Sequence, residues 1–139
     1  MEARVKWIEG RTFLGESGSG HSVVMAGSSL GKEAVGASPM ELILLGLGGC
    51  ATYDLIHILE RGRQDIADCD VEITSQRADE DPKVFTTIHL HFKVTGADLN
   101  EKKVARAVEL SAEKYCSASA MLSKTATITH DYEVIDTAA

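Results

Sequence analysis

An α+β fold follows from three features of the sequence. Several segments alternate apolar and polar residues with period two. A long helix-like apolar run sits between them. Strand-like and helix-like segments are grouped rather than interleaved one for one, which predicts mostly antiparallel pairing. At 139 residues the chain fits one domain, expected over 1–139, and can bury a single core.

Ala3, Val5 and Trp7 alternate with Arg4 and Lys6 and read as a strand, which Gly10 turns. Residues 12–16 and 21–25 flank Ser17-Gly18-Ser19-Gly20 in the pattern of a hairpin. Residues 27–37 are rich in glycine, serine and alanine and read as a loop. Ser38 then precedes Pro39, with Glu41 three residues after Ser38, which is a capping box with proline at the first helical position. The helix is expected to run to about Glu60, stopped by Arg61-Gly62-Arg63. Leu42, Ile43, Leu44, Leu45 and Leu47 make its first half apolar on every side, as in a helix buried all round. So short a chain rarely encloses such a helix alone, and a partner subunit is the simple remedy.

Cys69, Val71 and Ile73 share one strand face, and residues 79–83 make a turn. Val84, Thr86, Ile88, Leu90, Phe92 and Val94 then alternate through a long strand. Asp98 and Glu101 form a second candidate capping box. Val104, Ala107, Val108, Ser111, Ala112 and Tyr115 make a helical stripe, a short helix follows Cys116 to Ser123, and residues 125–134 form the last strand.

Composition excludes several classes. A net charge of -7 and a pI near 5.2 argue against nucleic acid and against an anionic membrane surface. No apolar h-region follows Met1, and the longest apolar stretch, residues 42–51, is interrupted by glycines and too short to span a bilayer. Three cysteines in a chain that needs no disulfide staples predict a reduced, cytoplasmic setting.

Cys50 is the first chemical candidate. It follows Gly46, Gly48 and Gly49 inside a strong helix, where each glycine costs about 1 kcal/mol relative to alanine. Close approach of a helix or a substrate would account for them. A kink at Gly48-Gly49 would place Cys50 near a fresh helix amino terminus that favours a thiolate. Packing of a small apolar thiol is the bland alternative. Cys116 lies at a helix start, with the same two readings open. Cys69, in phase with Val71 and Ile73, reads as core. His89 and His91 share the polar face of their strand, but no third metal ligand is visible nearby. Asp54 and His57 fall on the Cys50 side of the helix, with His57 about 10 Å away along it. That is too far for a direct Cys–His nucleophile, so a thiol hydrolase is a weak third possibility.

The runs Ser38-Pro39-Met40-Glu41-Leu42, Gly48-Gly49-Cys50 and Glu113-Lys114-Tyr115-Cys116-Ser117 resemble the OsmC/Ohr family, and within it the YhfA-like branch. The anchors are a proline eleven residues before a helical cysteine and a second cysteine 66 residues on. The resemblance implies an OsmC-like intertwined homodimer, with mostly antiparallel sheets wrapped around central helices and the site at the dimer interface. It implies that Cys50 attacks an organic hydroperoxide and becomes a sulfenic acid. Cys116 then resolves it as an intramolecular disulfide, which a dithiol reductant, lipoylated or of low molecular weight, reopens. No metal or bound cofactor is implied. In the family's hydroperoxide reductases a glutamate directly after the proline orients an arginine that holds the thiolate. Here Met40 occupies that position and the acid stands at Glu41, while Arg11 is the arginine offered by the loop after the first strand. A peroxidase is therefore expected, against the alternative of a binding or redox-sensing dimer that keeps the thiols and has lost turnover.

Overall fold

The computed structural model describes residues 1–28 and 33–138, so part of the loop expected over 27–37 lies outside the described residues. The chain divides into two compact units, Met1–Leu45 and Gly46–Ala139.

The first unit is a three-stranded antiparallel sheet of β1 (Ala3–Glu9), β2 (Thr12–Ser17) and β3 (Ser22–Ala26), in that order. Gly10 turns β1 into β2 at φ 54°, a left-handed conformation that glycine adopts without strain. The expected hairpin joins β2 to β3. All seven residues of β1 are exposed, Trp7 and Val5 among them. The helix α1 (Pro39–Arg61) begins in this unit and continues into the second. Its capping box forms as expected. The Ser38 N–H donates to Glu41 Oε1 at 3.0 Å and the Glu41 N–H donates to Ser38 Oγ at 3.1 Å.

The second unit is a sheet of β4 (Asp65–Arg77), β5 (Phe85–Ala97) and β6 (Thr127–Asp136). β4 and β5 pair antiparallel, whereas β5 and β6 pair parallel. The parallel pair is possible because 29 residues link the strands, enough for the crossover that parallel neighbours require. That crossover carries α2 (Glu101–Leu110), a π-helical turn (Ser111–Tyr115) and α3 (Ser117–Leu122).

One sheet face is apolar. Cys69, Val71 and Ile73 of β4 pair with Val94, Phe92 and Leu90 of β5, and those three β5 residues are fully buried. Burying a side chain the size of Phe92 contributes about 3 kcal/mol. Leu47, Ala51, Leu55 and Leu59 form the one buried stripe of α1, and Val104, Ala107 and Val108 that of α2. Gly48 brings α1 close to β4, since a Cβ there would lie 2.7 Å from Ile73 Cδ1. At Gly46 and Gly49 a Cβ would meet nothing within 4 Å among the described residues.

Three expectations change. In β5 the buried residue near the start is Phe85, not Val84 or Thr86. A register irregularity opposite Gln76 and Arg77 inserts an extra residue and inverts the alternation there. The cap of α2 is Asn100, whose side chain accepts from the Lys103 N–H at 3.1 Å. Asp98 instead sits in a left-handed turn at φ 50°. Finally, the apolar residues 42–51 belong to a 23-residue helix that is long and apolar enough, by length and composition, to cross a membrane. Only 28% of its most apolar window is buried within the chain.

The opposite sheet face is polar. His89 and His91, which the sequence placed there, both bond Asp131 Oδ1, at 3.0 and 2.7 Å. The Asp131 bond holds the His91 pKa above its ordinary value, and the His91 bond holds the Asp131 carboxyl below its own. The His91 contribution is therefore full below about pH 6.5 and lost as pH rises through its raised folded value. The Asp131 contribution is present above about pH 4 and lost on acidification. Wild type should thus exceed His91→Gln in Tm by more at about pH 5.5 than at about pH 8.5. Equal differences at the two pH values would contradict an ion pair here.

Candidate functional site

Cys50 sits in the middle of α1, which is continuous through Gly48 and Gly49. The helix does not break there, and its buried Leu47, Ala51, Leu55 and Leu59 stripe runs uninterrupted past both glycines. Cys50 therefore has no helix amino terminus of its own.

Cys116 arrives beside it by a specific route. The π-helical turn after α2 is anchored by Ser111, whose buried Oγ donates to the Ala51 carbonyl at 2.6 Å, one residue past Cys50. Inserted π turns commonly mark functional positions. Cys116 follows as the cap of α3, its Sγ accepting the Ser119 N–H at 3.4 Å. The helix-start position read from the sequence is thus observed.

The Sγ atoms of Cys50 and Cys116 and a carboxylate oxygen of Asp54 all lie within 4.8 Å of one another. Both cysteines are free thiols, Cys50 half-buried and Cys116 buried. A disulfide needs the sulfurs at about 2.05 Å, so the pair as it stands is reduced and unbonded. Burial pushes the Cys116 thiol pKa up. The Ser119 N–H bond pulls it down, and the Cys50 thiol adds to the upward shift. At neutral pH Cys116 is therefore protonated.

Asp54 is the neighbour that spacing alone left without a role. Sequence put it one turn from Cys50, on the same face, but could not show that Cys116 completes the group from the far side. Its Oδ2 is buried and has no hydrogen-bond partner among the described residues. Next to this cluster Asp54, His57, Ile58, Arg61, Leu110 and Tyr115 line a groove of about 460 Å³. His57 is exposed and outside the cluster, so the Cys–His arrangement of a thiol hydrolase does not form.

The other candidates are placed as follows. Glu41 is exposed and its carboxylate caps α1; the bonds from Ser38 hold its pKa below the ordinary value. Arg11 is exposed and its guanidinium donates to the Gly10 carbonyl at 3.2 Å. Cys69 is half-buried on the inner face of β4, and burial with Asp68 and Asp70 on either side pushes its pKa up to about 11. Such a thiol is a poor nucleophile. Cys69→Ala should retain the fold, lose no more than about 1 kcal/mol, and leave the reactivity of the other two thiols unchanged. Thiol-labelling rates compared with wild type check this.

Comparison with known proteins agrees with this architecture. The family described as OsmC-like protein matches residues 31–131. Protein YhfA of Escherichia coli K12 is 57% identical over 135 residues, covering 97% of this chain and 98% of that protein. The crystal structure of a hypothetical protein from Aquifex aeolicus superposes with a TM-score of 0.81 at 28% identity, over 97% of each chain. The organic hydroperoxide resistance protein OhrB of Bacillus subtilis shares the fold, with a TM-score of 0.64 at 20% identity over 96% of this chain and 98% of that one. By sequence and by fold, this chain belongs to the OsmC-like protein family.

Proposed function

We propose that the chain is a cytoplasmic, homodimeric thiol peroxidase for organic hydroperoxides, its 139 residues working as one OsmC-like domain. The observation that carries this is the approach of Cys50 and Cys116 within 4.8 Å from elements far apart in sequence. The fold-mate OhrB, named for organic hydroperoxide resistance, supports the choice of substrate class. In this cycle the Cys50 thiolate attacks one oxygen of ROOH, the O–O bond breaks, and the alkoxide takes a proton to leave as ROH. Cys50 is left as a sulfenic acid. The Cys116 sulfur then attacks it, and the hydroxide leaves as water with the Cys116 proton. An external dithiol reduces the disulfide and completes the cycle. Cys50 is the attacker because it is the less buried thiol of the pair. Arg11 is proposed as the cation that assists the thiolate. Glu41 is engaged in capping and is proposed to act by fixing the start of α1.

One observation favours the alternative of a redox-sensing dimer without turnover. The ionisable side chain grouped with the two thiols is the acid Asp54, and no Lys, Arg or His belongs to that group among the described residues. Dithiol-dependent consumption of cumene hydroperoxide separates the two. A peroxidase should turn over with a dihydrolipoamide-type reductant and use hydrogen peroxide at least about tenfold less efficiently, a discrimination of about 1.4 kcal/mol. Oxidation of the thiols without turnover would favour the sensor.

A further inference from the structure

The resemblance to hydroperoxide reductases implies chemistry without a metal, yet the side chains around Cys50 form a different kind of constellation as well. Two thiols and one carboxylate oxygen lie within 4.8 Å of one another, from α1 and from the cap of α3. In a tetrahedral zinc site with Zn–S near 2.3 Å and Zn–O near 2.1 Å, neighbouring ligand atoms stand about 3.5–3.8 Å apart. Small rotamer adjustments would bring the three atoms to that spacing. A second, independent observation is the Asp54 Oδ2 atom, buried and without any hydrogen-bond partner among the described residues. A carboxylate oxygen buried in that way calls for a cation or a proton. The Ser119 N–H, already bonded to the Cys116 sulfur, is the kind of outer donor that supports a metal-bound thiolate.

We propose that Cys50, Cys116 and Asp54 form a three-ligand site for a thiophilic divalent cation of the zinc class, its fourth position open to water or a small exogenous ligand. Sulfur donors select zinc and cadmium over magnesium and calcium, and the single carboxylate suits a borderline-soft ion. On binding, two thiol protons are released and two metal–sulfur bonds form, with no change of oxidation state. Bound metal and a Cys50–Cys116 disulfide exclude each other, because the disulfide has no thiolate to donate. Metal occupancy would therefore hold the pair reduced and silent toward hydroperoxide. The site does not depend on hydroperoxide turnover, and a chain inactive as a peroxidase could still possess it.

Reduced, metal-free protein titrated with cadmium under anaerobic conditions tests the proposal directly. One ion per chain should bind, with an ultraviolet cadmium–thiolate charge-transfer band and release of about two protons per ion. Zinc should displace a chromophoric chelator with the same stoichiometry. Cys50→Ser and Cys116→Ser should each lose the high-affinity site, Asp54→Asn should weaken it by at least about tenfold, and Cys69→Ala should leave it unchanged. Wild-type protein first oxidised to the Cys50–Cys116 disulfide should bind no ion, a comparison that involves no substitution. Absence of the charge-transfer band in reduced wild type would overturn the proposal. So would full affinity in Asp54→Asn, or retention of the ion by the oxidised protein.

Discussion

Cys50→Ser should abolish hydroperoxide turnover, a loss of at least about 10⁴-fold, because a serine hydroxyl cannot form the sulfenic acid on which every later step depends. The exchange is close to isosteric and Cys50 is only half-buried, so the fold should survive. Cys116→Ser should behave differently. Its cycle stops after one reaction per chain, with sulfenic acid trapped on Cys50 and detectable by dimedone labelling. The substituted serine can still accept the Ser119 N–H that Cys116 now receives, so α3 should keep its cap. Trapping of sulfenic acid on Cys116 in the Cys50→Ser protein would show that the roles are exchanged. Resistance of both thiols to excess organic hydroperoxide would place the chain among non-enzymatic members of the fold.

In solution the chain should sediment as two copies at low micromolar concentration. The reason is apolar surface that this chain leaves uncovered. Leu45 is 62%, Tyr53 74% and Met121 70% exposed, and most of the apolar window of α1 is not buried. A second copy of the chain is expected to cover it. Gly46 and Gly49, beside which the described residues place no atom a Cβ would touch, leave room for a second helix to approach closely. A partner helix also accounts for the membrane-like composition of α1 in a protein of net charge -7. Tyr53→Asp should weaken the dimer by about 100-fold, since it places a charge in an apolar contact. A well-folded wild-type monomer at high micromolar concentration would contradict this account.

Local rules made several parts of the fold legible in the sequence. The Ser38–Glu41 capping box, the Ser17–Gly20 hairpin turn and the inward phase of Cys69 each depend on residues within a few positions. What sequence missed depends on partners distant along the chain. The Phe85 inversion is set by the register with Gln76 and Arg77 across the sheet. The parallel β5–β6 pair is set by where the crossover lands. Glycine content suggested a kink before Cys50, but the core stripe of α1 outweighs about 1 kcal/mol per glycine. The site shows the same division. Cys50 and Cys116 stood out separately, and only family resemblance joined them before the structure did. Asp54 drew attention as a neighbour of Cys50, yet its importance rests on the Ser111–Ala51 hydrogen bond that delivers Cys116 to the same place.

Peptide-mapped mass spectrometry of the reduced protein after one equivalent of cumene hydroperoxide tests the central claim most directly. Of the three free cysteines, Cys50 and Cys116 should be recovered as a single cross-linked species within one chain, with Cys69 still alkylatable. Recovery of Cys69 in the disulfide, or of three unmodified thiols after the hydroperoxide has had time to react, would contradict it.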